Sequence, residues 1–229
     1  MEPRRGLAST PEHRAKLQWD PKKELGYYEI EETWYNDGYF EASQKNAESA
    51  IAHKLNRSRI GIVNKYANRY RIDMENTRIS GIHQGRVLDF GPGFGHFVFS
   101  RRNTYGFDIC KKAREKLEKA GLFFDPHEKD LDEYSFKVVT LFDVIEHLKD
   151  PRIILDKIKS QFLIITLPIF EDKAHILRSK HFKIMEHYWY FTKKSIIEYM
   201  AGQGFKEIEC RTDEIKNGRE DIYTYVFKR

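Results

Sequence analysis

Residues 86–95 read RVLDFGPGFG, an apolar run, Val87–Phe90, that passes without a spacer into three glycines at alternate positions. A strand that ends in a glycine-rich turn and then opens a helix places its ligand beyond the carboxyl ends of the strands in an open α/β sheet. Gly91, Gly93 and Gly95 suit such a turn because glycine tolerates positive φ and lets the backbone approach a ligand closely. A loop that merely turns the chain is the simpler alternative, and two neighbouring residues weigh against it. Position 96 is His, where the dinucleotide fingerprint carries its third glycine beside a pyrophosphate, so the spacing favours a nucleoside ligand without one. Asp108 ends the next apolar segment, close to the spacing of a carboxylate that accepts hydrogen bonds from ribose hydroxyls. Capping the following helix is compatible with that role.

Downstream of this loop the pattern alternates between strand and helix. A short helix is expected over His96–Arg102 and a strand over Tyr105–Ile109. The segment Cys110–Ala120 reads as a helix with Ala113, Leu117 and Ala120 on one stripe, stopped by Gly121. Strands are expected at Leu122–Phe124, Val138–Phe142 and Phe162–Leu167, the last almost wholly apolar as when both faces are covered. Asp150-Pro151 signals a helix start, and Thr192 caps a final helix closed by Gly202 and Gly204. Strands near Lys206–Thr212 and Asp221–Phe227 finish the chain. This order predicts an α/β fold: a Rossmann-like, doubly wound, mostly parallel seven-stranded sheet with an N-terminal helical extension.

Three regions follow: a polar, proline-bearing leader over 1–24, an aromatic and helical extension over 25–84, and the sheet domain over 85–229. The extension either covers the sheet or closes over a pocket as a lid. The 229 residues carry 40 basic and 35 acidic side chains, a mixed excess of +5 that permits an anionic partner without demanding one. Lys54, Arg57, Arg59, Lys65, Arg69 and Arg71 form a basic stretch, readable as a nucleic-acid surface or as a solvated helix face. Cys110 and Cys210 lie far apart without ligand spacing and read as reduced thiols. No apolar run reaches membrane-spanning length and no secretory signal is evident, so the expected location is the cytoplasm and no membrane partner is expected. The oligomeric state is not legible.

VLDFGPGFG, then GFD, TLFDVIEHLKDP, ITLP and EHYWYFT resemble, in that order, the motifs of class I S-adenosylmethionine-dependent methyltransferases. They are most similar to the broad group that includes ubiquinone-biosynthesis O-methyltransferases, and the likeness covers about residues 85–205. It implies that Asp89, Gly91, Gly93 and Gly95 surround the methionine end of the cofactor and that Asp108 holds its ribose. It also implies that Phe124 and Asp125 flank the adenine and that Asp143 lies among the cofactor contacts.

On the acceptor side, FDVIEHL places Asp143, Glu146 and His147 around the end of the fourth strand. Methyl transfer asks little chemistry of a protein, because the sulfonium is already activated and alignment supplies most of the help. A base is needed only where the acceptor loses its proton early, and His147 and His187 are the candidates for catalysis. His187, in SKHFKIMEHYWYFT, is expected to face His147 across the pocket. This segment also resembles methyltransferases acting on the 2′-hydroxyl at small-RNA ends, in which a Glu-x-x-Glu-His-like cluster and a later histidine hold a divalent metal. Glu146, His147 and His187 would serve here, but the first carboxylate falls at the shorter Asp143, and no metal ligand is assigned. DVIE stands where base-nitrogen methyltransferases carry (D/N)PP(Y/F), which disfavours that mechanism. The expected function is methyl transfer to an oxygen or nitrogen, with a small-molecule or sugar acceptor ahead of RNA or other nucleic acid. A non-catalytic protein that binds the cofactor is the third reading.

Overall fold

A computed structural model describes residues 10–30, 37–73 and 78–229 of the chain. The N-terminal part contributes α1 (Pro11–Lys16), β1 (Gln18–Asp20), β2 (Leu25–Tyr27), α2 (Asp37–Ala47), α3 (Ala50–Ala67) and the hairpin β3 (Asn68–Asp73) with β4 (Arg78–Gln84). Then come β5 (Val87–Phe90), α4 (His96–Ser100), β6 (Thr104–Phe107), α5 (Lys111–Lys119) and β7 (Val138–Phe142). A 3-10 turn at Ile145–His147 precedes α6 (Arg152–Leu155), β8 (Phe162–Phe170) and α7 (Lys173–Arg178). The chain ends with β9 (Trp189–Thr192), α8 (Lys193–Gly202), β10 (Lys206–Arg211), α9 (Asp213–Lys216) and β11 (Ile222–Lys228).

The central strands β6, β5, β7 and β8 run parallel, and β11 joins β8 antiparallel with β10 beyond it. Side chains alternate across this sheet as a pleated strand requires. Val87, Val138, Phe142, Ile164 and Val226 meet Ile62, Val63 and Ala67 of α3 on one face. Leu88, Val139, Leu141, Leu163, Ile165 and Tyr225 pack on the other, with Ile196 and Met200 of α8. The extension therefore covers the sheet through α3. Buried Arg101 ties the two together, donating to Asn64 Oδ1, Asn68 Oδ1, Gly85 O and Thr104 Oγ1.

The sheet holds nine strands where seven are expected. β8 leaves β7 after Thr166 and pairs through Ile169 and Phe170 with β9, which in turn pairs with β2 and so with β1. Residues 10–24, read as part of a loose leader, are thus organised, and Leu17 is buried with Tyr28, Phe170 and Tyr190. Residues 1–9 of that leader lie outside the described residues. The strand expected at Leu122–Phe124 shrinks to a single parallel bridge between Gly106 and Phe123. No described helix is long and apolar enough to cross a membrane.

Candidate active site

The crevice opens where β5 and β7 end, between neighbours reached in opposite directions from β5, which is the switch point of the sheet. Gly91, Gly93 and Gly95 all have positive φ, of 65, 55 and 85°, so the loop needs glycine at each alternate position. Across the crevice Asp143 adopts φ 59°, rare for a residue with a side chain, as β7 gives way to the 3-10 turn. Two adjoining cavities result. The smaller, about 250 Å³, is bounded by Phe107, Asp108, Ile109, Val144 and Leu148. The larger, about 650 Å³, has Asp89, Pro92 and Phe94 on one side and Glu146 and His187 on the other. Gly91, Asp143 and His147 line both.

Asp108 sits in the smaller cavity, where its carboxylate accepts from Gly93 N–H at 2.9 Å and Cys110 N–H at 2.8 Å. It therefore fixes the glycine loop and caps the turn into α5. Burial raises its pKa, and the two backbone donors oppose that rise. Asp89, buried beneath the loop, accepts from Thr140 Oγ1 at 2.6 Å, and burial pushes its carboxyl up to about 7. Phe124 and Asp125 are placed elsewhere. Phe124 is a core side chain packed edge-on against Tyr134 and Phe136, and Asp125 accepts from His127 N–H at 2.9 Å to cap a turn. Neither is among the residues that line these two cavities, although the bridge from Gly106 to Phe123 brings the segment beside Phe107. Ile109 stands in that place: it lines the smaller cavity yet is 73% exposed, an apolar wall open to a flat ring. The legible signal was an apolar residue directly after the strand-end carboxylate.

Asp143 is committed to a half-buried charge network. Its Oδ2 accepts from Arg59 and from Arg219 at 2.9 Å each, and Glu214 accepts from the same two guanidiniums at 2.7 Å each. Burial alone would raise the Asp143 carboxyl, but Arg219 and Arg59 hold it well below the usual carboxylate range. Arg59 also stacks on Phe142, 4.6 Å from the ring centroid. It is thus half-buried at the wall of the larger cavity, paired with carboxylates and not free on a basic face. Lys65 pairs with Glu209 at 2.6 Å, and the side chains of Arg69 and Arg71 lie outside the described residues. Nothing in the sequence marked Glu214 and Arg219, five residues apart in a polar stretch.

Glu146, His147 and His187 come together. One donor atom from each lies within 4.8 Å of the others, and the two imidazoles meet edge to face with centroids 4.5 Å apart. The backbone enforces this: Tyr188 N–H donates to Glu146 O at 2.8 Å, stitching the segment before β9 to the 3-10 turn. Burial, with nearby Asp143, raises the Glu146 carboxyl to about 8. Burial, with Lys183, lowers His147 to about 4, and burial with His147 takes His187 well below its ordinary value. At neutral pH all three are uncharged. Glu146 Oε2 and His187 Nδ1 are buried and have no hydrogen-bond partner among the described residues. Such groups call for a ligand, a water or an ion. One carboxyl group that gives up its proton on binding, with two neutral imidazoles, is a donor set that fits a divalent cation, with Asp143 turned away to its arginines.

A family model described as a methyltransferase domain matches residues 44–209. The chain belongs to that family. It is a class I S-adenosylmethionine-dependent methyltransferase, and its sheet order and glycine loop agree with that assignment. The ubiquinone-biosynthesis subgroup finds no separate support. Among solved structures, the methyltransferase resembles magnesium protoporphyrin IX methyltransferase (ChlM) from Synechocystis PCC 6803 with a TM-score of 0.53 and 14% identity, over 85% of this chain and 96% of that one. It resembles the methyltransferase domain of bacterial CtHen1-C with a TM-score of 0.50 and 13% identity, over 78% and 98%. At such identities these likenesses show the fold alone. No curated protein matches the sequence at a significant level.

Proposed function

We propose that this methyltransferase moves a methyl group from S-adenosylmethionine to a hydroxyl oxygen of a small-molecule or sugar acceptor held in the larger cavity. The observation that carries the reading is the convergence of Glu146, His147 and His187 where the two cavities meet. Adenosine fits the smaller cavity against Ile109 and Val144, with Asp108 toward the ribose. The thioether then falls near Gly91, Asp143 and His147, which both cavities share, and the amino-acid end runs along Gly91–Phe94 above Asp89. This path turns the methyl toward the histidine pair.

The neutral imidazole of His187 has a lone pair to accept the hydroxyl hydrogen, which aims the oxygen at the methyl carbon. Its lowered pKa makes it a weak base, so the proton leaves the oxygen as the new bond forms and not before. Glu146, protonated at neutral pH, can donate to an acceptor oxygen. A divalent cation held by Glu146, His147 and His187 would replace these two roles, since it takes the His187 lone pair and displaces the Glu146 proton, and would instead supply Lewis-acid stabilisation of the oxygen as it loses its proton.

A cavity of about 650 Å³ suits a metabolite-sized acceptor, and Arg59 of α3 faces that cavity already paired with Asp143 and Glu214. A second reading, methylation of a terminal ribose of RNA, draws on the same cluster and on Lys180 and Lys183 at the cavity wall. Incubation with methyl-labelled cofactor and fractionated cell extract separates the two. We expect label in the small-molecule or sugar fraction, in an ether that resists ester hydrolysis. Label in RNA supports the second reading instead. Tight binding of S-adenosylhomocysteine with no transfer to any fraction overturns both and leaves a cofactor-binding protein. Inclusion of EDTA reports separately on the cation.

A further inference from the structure

The cofactor loop is gripped by residues from outside the sheet. Ser43 Oγ, on α2, accepts from Phe94 N–H at 3.1 Å, and the ring of Phe40 lies 5.8 Å from that of Phe94. Phe94 O accepts from Lys116 Nζ at 2.9 Å, and the ammonium rests 3.0 Å from the centroid of the Phe94 ring. A Cβ on Gly93 would lie 2.7 Å from Ser43 Oγ, so α2 seats directly on the loop backbone. An ion pair from Lys112 to Glu41 at 2.9 Å fastens α2 to α5. This helix is thus a roof on the glycine loop, whereas α3 covers the sheet.

Ser43 also lines the larger cavity, and Asn46, one turn further along α2, lines it beside Ser43. A serine hydroxyl that accepts one hydrogen bond still has its own hydrogen to donate. No acceptor for it occurs among the described residues. Asp89, beneath the glycine loop, lines the same cavity and supplies an acceptor. Hydroxyl and amide donors beside a carboxylate in one cavity match a zwitterion. The family model begins at residue 44, so no motif assigns Ser43 a role.

We propose that Ser43 belongs to the cofactor site, donating its hydroxyl hydrogen to the α-carboxylate of S-adenosylmethionine, with Asn46 as a second donor one turn away. This rests on the reading that the amino-acid end of the cofactor lies along the glycine loop. The bond that Ser43 accepts from Phe94 holds the hydroxyl in place for this task, and acceptance of the cofactor carboxylate adds a tie between α2 and the sheet.

Calorimetry with two nucleosides tests the assignment. S-adenosylhomocysteine and 5′-methylthioadenosine share the adenosine and the thioether, but only the first has the amino-acid end. Ser43→Ala should weaken S-adenosylhomocysteine about tenfold, as loss of one hydrogen bond to a charged group does, and leave 5′-methylthioadenosine unchanged. Asn46→Ala should show the same selectivity, and it provides the test should Ser43→Ala fail to fold. An equal loss for both nucleosides, or no loss for either, overturns the proposal, because Ser43 then acts only through the loop or not at all. Failure of the unsubstituted protein to bind either nucleoside would instead overturn the reading on which the proposal rests.

Discussion

Replacing Glu146 by Gln should stabilise the cation-free protein at neutral pH while damaging its function. Glu146 is 2% exposed, and burial raises its carboxyl from an ordinary 4.5 to about 8. At pH 7 the unfolded carboxyl has lost its proton and the folded one keeps it. The folded state therefore binds more protons across this window, and stability falls as pH rises from about 4.5 to about 8. The penalty is absent below the unfolded value and complete above the folded one. At about 1.4 kcal/mol for each tenfold ratio, keeping the proton at pH 7 costs on the order of 3 kcal/mol. Glutamine is neutral at every pH and has nearly the same shape, so Glu146→Gln removes this cost. For a chain of this size, about 3 kcal/mol corresponds to a rise of roughly 6–12 °C in Tm. Urea unfolding of EDTA-treated protein, followed by circular dichroism at pH 5 and pH 8, should show a large advantage for Glu146→Gln at pH 8 that narrows toward pH 5. Equal stability at pH 8, or an advantage that does not depend on pH, would refute the reasoning.

Three other substitutions probe separate parts of the account. Asp108→Ala should weaken S-adenosylhomocysteine binding by about 1–3 kcal/mol in calorimetry, and unchanged affinity in a folded variant counts against a ribose contact. Arg59→Met leaves buried Glu214 and half-buried Asp143 with Arg219 alone, and should destabilise the fold by about 3 kcal/mol in urea unfolding; a change below about 0.5 kcal/mol would show the network to be dispensable. Phe124→Ala should cost about 3–5 kcal/mol of stability as a core truncation, yet a folded sample should bind S-adenosylhomocysteine as before. A selective loss of affinity would return Phe124 to the cofactor site.

The central sheet was legible because its signals are local. The run Val87–Phe90 abuts its glycine loop, and the apolar block Phe162–Leu167 can only be a strand buried on both faces. The pairing of His147 with His187 was likewise readable, since both follow strand ends that open on one crevice. Long-range features were not. The union of β9 with β2 depends on β8 outrunning β7, and no local pattern marks how far a strand extends past its neighbour. The third strand was expected at Leu122–Phe124 on apolar content, but Phe124 spends that content in the core against Tyr134 and Phe136. Arg59 looked like one cation of a basic stripe. Its carboxylate partners, Asp143 and Glu214, come from segments 84 and 155 residues away, and only the folded chain joins them.

The most direct test of the account is the rate of methyl transfer by His187→Ala, measured on the labelled acceptor fraction alongside calorimetry of S-adenosylhomocysteine. His187 lines the larger cavity in edge contact with His147, and its proposed role toward the acceptor predicts transfer reduced on the order of 10²–10⁴-fold, with cofactor affinity unchanged. Transfer at the wild-type rate, or a loss fully explained by weaker cofactor binding, would contradict it.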